Sequence, residues 1–96
     1  MSGGNWKEMF KGIETNDIAL VEYYLKIGVD ANYQHPEFLA SPLVESIRRN
    51  HLEIAKLLLE NNANPNIIEV WGKETPLSVA KKQKNNKAIE LLKAYL

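Results

Sequence analysis

The sequence contains no cysteine, which removes disulfide cross-links, thiolate nucleophiles and thiolate metal ligands together. That absence fits a reducing compartment, and a cytoplasmic location is the default expectation. No apolar run approaches the about 18 residues that a membrane-spanning helix requires. No basic leader with an apolar stretch and a cleavage site opens the chain, so nothing suggests secretion. His35 and His51 are the only histidines, and neither sits in a metal-ligand spacing. The five glycines are scattered rather than gathered into a phosphate-binding loop. The net charge is zero, which argues against general nucleic-acid binding through phosphate neutralisation. The sequence therefore predicts no metal site, no cofactor and no catalytic constellation. Glu45 and Glu53 can be imagined as an acid–base pair, but no pocket is implied. Glu53 falls in a first helical turn, where a carboxylate favours the helix dipole anyway.

What is present describes one small folded domain: 96 residues, 45% hydrophobic and 25% charged. The opening "MSGG" reads as a disordered start or a cloning remnant. Charge is unevenly spread. Residues 1–40 carry three lysines against six acids, a balance of −3. Residues 73–96 carry six lysines against two acids, a balance of +4, and residues 41–72 sit at −1, with three cations against four acids. Such polarity can orient a partner, or it can simply solubilise two exposed ends.

The strongest positive signal is an internal repeat at an offset of 34. "KIGVDANY" (26–33) lies over "ENNANPNI" (60–67), "SPL" (41–43) over "TPL" (75–77), and "IALVEYYL" (18–25) over "LEIAKLLL" (52–59). A weaker copy, "NKAIELLK", occupies 86–93. Proline suits the first turn of a helix, so Pro42 and Pro76 mark helix starts, with Ser41 and Thr75 as N-caps. These first helices are short, about Leu43–Arg49 and Leu77–Lys84. Asp17, His51 and Asn85 precede the second helices and are expected to cap them, His51 through a ring nitrogen. Gly28 and Asn62 end those helices as residues that tolerate a left-handed backbone. The helix from Leu52 to Leu59 is apolar over more than one stripe, so neighbouring units must cover it.

These stretches resemble the ankyrin repeat family. The matching residues are "SPLVESIRRNHLEIAKLLLENNANPN" in the middle and "ETPLSVAKKQKNNKAIELL" at the end, with "NDIALVEYYLKIGVDAN" as the latter half of a first unit. A period near this length also suits tetratricopeptide repeats, which lack a "TPL" start and a "GVDAN"-type exit. The resemblance implies an all-α, ankyrin-like solenoid of three helix-turn-helix repeats with short hairpin-like connections. It would form one domain over 1–96, with units near 5–37, 38–71 and 72–96. The first unit has "NWKEMF" in place of "TPL", with Asn5 and Glu8 spaced as a capping box. Lys93 stands where the middle helix has Leu59, as a polar outer face would require of a terminal repeat. The expectation is a complete, capped three-repeat unit, with an excised fragment of a longer array as the alternative. The stretch "IIEVWGKETPL" is one residue longer than the family's usual hairpin spacing.

The resemblance also implies function: such repeats bind proteins through hairpin tips and the exposed side of the first helices. Tip positions here include Glu37, Phe38 and Ala40, then Val70, Trp71, Lys73 and Glu74. First-helix positions include Glu45, Arg48 and Arg49, then Lys82 and Gln83, with Glu14 and Thr15 as equivalents in the first unit. Arg48 and Arg49 are the only arginines, and an arginine fork pairs with carboxylates and stacks on aromatics. A favourable charge at a helix C-terminus explains Arg48 equally well. Phe38 and Trp71 lie in connections, where each is either an interface anchor or packing between hairpins. The reading is a non-enzymatic module that masks, scaffolds or inhibits a partner protein. It binds no nucleic acid or membrane, and is monomeric. Head-to-tail self-association of acidic and basic ends is the alternative. A small enzyme finds no motif in its support.

Overall fold

Pro42 and Pro76 each open a helix whose preceding residue caps it. A computed structural model describes residues 3–96, in six helices. They are α1 (Gly3–Thr15), α2 (Ile18–Lys26), α3 (Pro42–Arg48), α4 (Leu52–Glu60), α5 (Pro76–Lys82) and α6 (Asn86–Lys93). Ser41 Oγ accepts the Val44 amide at 3.2 Å. Thr75 and Ser78 form a reciprocal capping box, with bonds of 3.0 and 2.8 Å. Asp17 and Asn85 cap α2 and α6 by accepting the amides of Leu20 and Ala88.

Three local expectations need correction. His51 makes no capping bond to α4; its Nδ1 lies 2.8 Å from the Ile13 carbonyl and so ties the second helix pair to the first. Asn5 lies inside α1, so it starts no helix and the proposed box with Glu8 does not form. Gly3 and Gly4 belong to α1 as well, while the first two residues of "MSGG" lie outside the described residues.

The backbone itself repeats with the sequence. Positive φ recurs at Asn16, Asn50 and Lys84 between paired helices, at Gly28 and Asn62 after the second helices, and at Leu39 and Lys73 in the hairpins. Each set is spaced by the same 34 residues, so both hairpins share one length and the extra residue is common to them; their tips differ at Gly72, whose φ of +81° is not matched at the equivalent Phe38.

Helices pair in chain order, and α3 packs against both α1 and α5. Trp6, Met9, Ile13, Val21, Leu43, Val44, Ile47, Ile54, Ala55 and Leu58 are fully or almost fully buried and make a continuous core along the stack. Fully burying one such large side chain contributes about 1.5–3 kcal/mol, which is how short helices stay folded. The connections are clipped together by side-chain amides. Asn32 Nδ2 donates to Asn62 O at 2.9 Å and Asn32 Oδ1 accepts the Asn64 amide at 2.7 Å. Gln34 does the same to Ile68 O and the Val70 amide, at 3.0 and 2.7 Å. The Trp71 amide donates to Leu39 O at 2.9 Å. Among the described residues there is no strand, and no helix is long and apolar enough to cross a membrane.

Candidate protein-interaction surface

The hairpins and first helices meet over a buried carboxylate. Glu69 is completely buried at the foot of the second hairpin, where its Oε2 accepts the Ser41 amide at 3.1 Å. A lone charge there would be costly, and Arg48 on α3 supplies the partner through an Nη2–Oε1 contact of 2.5 Å. The other Arg48 terminal nitrogen reaches Glu45 Oε1 at 2.5 Å, and Glu45 Oε2 accepts Arg49 Nε at 2.6 Å. Arg49 Nη2 extends the chain of charges to Glu14 on α1, at 3.7 Å. Gln83 beyond α5 donates to the Arg48 carbonyl at 2.8 Å. One network therefore spans all three helix pairs.

Partial burial of Arg48 works against its charge, yet the hydrogen bonds and charges of Glu69 and Glu45 outweigh that and raise its pKa above the ordinary value. Arg48 and Glu45 are thus internally committed. Their forks hold the first helix to the hairpin and are not open to an outside carboxylate.

Above this network lies a recess of about 270 Å³. Phe10, Phe38 and Trp71 supply its aromatic lining, and the buried Glu45 and Glu69, the half-buried Arg48 and the more exposed Glu14 supply its charged lining. The two tip aromatics differ. Phe38 packs edge-on against Trp6 and Phe10, with ring centroids 5.4 and 5.6 Å away, and is 39% exposed. Trp71 is 64% exposed and stacks on no other ring. Glu74 accepts from Lys82 Nζ and from Ser78 Oγ, and these bonds, the Lys82 one foremost, hold its carboxyl below the usual range. Lys73 stands exposed at the hairpin tip with φ +59°. Of the sequence-predicted residues, Phe38, Glu45, Arg48 and Trp71 converge on the recess, Arg49 and the Lys82–Glu74 pair lie beside the charge network, and Lys73 is set apart.

A second groove, of about 490 Å³, opens at the turns between paired helices. Arg49, Asn50, Gln83, Lys84 and Lys87 line it, with no carboxylate, and Arg48 borders both depressions.

Sequence reasoning missed Glu69. Its signal was weak but present: an acid amid Ile67, Ile68, Val70 and Trp71, one repeat offset from His35. His35 is the other buried hairpin polar residue, packed on Trp6 with its Nδ1 accepting the Glu37 amide.

A family model described as ankyrin repeats in three copies matches residues 9–95. A mimivirus protein (Acanthamoeba polyphaga mimivirus) named as an ankyrin repeat protein is 35% identical over 84% of this chain, which spans 14% of that protein. A Fowlpox virus protein named likewise is 31% identical over 88% of this chain, again spanning 14% of its length. A palmitoyltransferase of Lachancea kluyveri is 31% identical over 75% of this chain, which spans 9% of it. The matched stretch runs from Met9 to Tyr95, across helix pairs joined by clipped hairpins, and the chain belongs to the ankyrin repeat family.

Proposed function

We propose that this chain is a non-enzymatic protein-binding module, a single domain with units near 5–37, 38–71 and 72–96, acting in the cytoplasm on a partner protein. The observation that carries this reading is Trp71. A large aromatic with 64% of its surface exposed, lining a recess whose buried Glu69 and Glu45 are already held by Arg48, is a preorganised anchor point. Consequence follows from occupancy, by masking, scaffolding or inhibition. Phe38 and Trp71 supply apolar contact, while Arg49, Lys73 and the Lys82–Glu74 pair set orientation and association rate. Glu45 and Arg48 act indirectly, by fixing the charged lining.

The test is affinity capture from the native lysate with wild-type and Trp71→Ala chains side by side, and mass-spectrometric identification. A partner recovered by the wild type and lost from the folded variant supports the reading. Equal recovery by both moves the interface off the hairpin tips.

Head-to-tail self-association retains one supporting observation. Tyr23 and Ile27 are exposed in the acidic first unit, and Tyr95 and Leu96 in the basic last one. Sedimentation at low and high salt decides it: a salt-labile oligomer favours association, and a monomer under both conditions removes it.

A further inference from the structure

We infer that the recess between Phe38 and Trp71 receives a cationic side chain, arginine or lysine, presented by the bound protein. This deepens the protein-binding reading and rests on it. Three observations converge. First, the walls are aromatic, and Trp71 offers a face that no other ring occupies. Tryptophan is the side chain over which a cation is held best. Second, the lining places three carboxylates, Glu14, Glu45 and Glu69, against one guanidinium, Arg48. A charge entering the recess from outside meets a net negative lining.

Third, the one guanidinium that lines the recess is already engaged. Arg48 gives one terminal nitrogen to Glu45 and the other to Glu69, so an incoming carboxylate competes there with two buried acids. Glu14 is in the opposite position. Its side chain is 38% exposed and its ion pair with Arg49 is long, at 3.7 Å, so it keeps acceptor capacity for a new donor. Glu45 and Glu69 supply field, and Glu14 supplies the hydrogen bond. The cation-lined groove at the helix turns also borders Arg48, so a partner spanning both depressions meets linings of opposite charge.

The two indole N–H signals of the chain make a direct test. Trp71 is exposed, whereas Trp6 is buried with its Nε1 bonded to the Tyr33 carbonyl at 2.8 Å and serves as an internal control. Isotope-labelled protein is titrated with N-acetylarginine amide, with its neutral isostere N-acetylcitrulline amide, and with N-acetylglutamate, at constant ionic strength. The Trp71 indole should shift saturably with the arginine probe while Trp6 stays still. Arginine should bind about three- to thirtyfold more tightly than citrulline, the range that a cation–aromatic contact supplies. Glu14→Gln should weaken the arginine probe and spare citrulline. Equal binding of arginine and citrulline, preference for glutamate, or no movement of the Trp71 indole would each overturn the inference. If a captured partner still depends on Trp71 while the arginine probe is silent, the binding reading stands and only the cation is lost.

Discussion

Helices α3 and α5 are built from the same instructions and have different fates. Both begin Ser/Thr–Pro–Leu, both have a side-chain N-cap, and both run for seven residues. Yet α3 is buried from Pro42 through Ile47, while α5 buries only Pro76, Val79 and Ala80 and exposes Lys81 and Lys82. Ile47 and Lys81 are equivalent positions. Local code fixes where a helix starts, and neighbours decide how much it contributes. With α1 on one side and α5 on the other, α3 is the keystone, and its polar residues must then be satisfied internally. That is why Glu45 meets two arginines, whereas its counterpart Val79 needs no partner.

The comparison can be broken most forcefully at matched leucines. Leu43→Ala in α3 should cost about 2–5 kcal/mol of unfolding free energy, the range for a buried leucine. Leu77→Ala, at the equivalent half-buried site in α5, should cost clearly less. Urea denaturation of both variants checks this, and equal losses would mean that the outer unit is as tightly covered as the middle one. Glu69→Gln comes next. It leaves Arg48 short of charge and the Ser41 amide with an altered partner. Breaking a buried pair costs about 3–5 kcal/mol, and the partial exposure of Arg48 puts this case near or below the lower bound.

The hairpin tips sharpen the contrast in a different observable. Trp71→Ala should leave the melting temperature nearly unchanged and weaken partner binding about thirtyfold, the about 2 kcal/mol typical of an anchor. Phe38→Ala should lower the melting temperature, because that ring packs on Trp6 and Phe10. Calorimetry with a pull-down on each variant separates the two roles. The smallest effect concerns pH. Glu74 in the last unit is held below its ordinary value of 4.5 by Lys82 and Ser78. A carboxyl whose folded pKa is depressed stabilises fully above the unfolded value and loses that contribution as pH falls through the folded one. Acid titration below about pH 4.5 should therefore erode this contact, and Glu74→Gln should flatten the slope slightly in thermal melts.

Much of the fold was written locally. Ser41, Thr75, Asp17 and Asn85 are capping residues by chemistry alone, and all four cap. Gly28 and Asn62 tolerate positive φ, and both adopt it. Leu39 and Lys73 adopt it too, although neither residue type favours that region, because the hairpin geometry overrides local preference. The site was less legible for a related reason. Glu69 acquires its meaning from Arg48, 21 positions earlier, and His51 from a carbonyl 38 positions away. Neither pairing has a period or a local signature. The exposure of Trp71 was equally hidden, since a tryptophan in a connection is consistent with either packing or display until the neighbouring hairpin is placed.

The amide clips of Asn32 and Gln34 carry a consequence for exchange with heavy water. The backbone N–H groups of Asn64 and Val70 sit in exposed connections, where deuterium would ordinarily enter quickly. Each is instead donated to a side chain of the preceding connection. For either to exchange, its clip between the first two repeats must release, so their protection reports on this contact between repeats as well as on the motion of a loop. Two amides in apparently free connections become gauges of how firmly the first two units are joined.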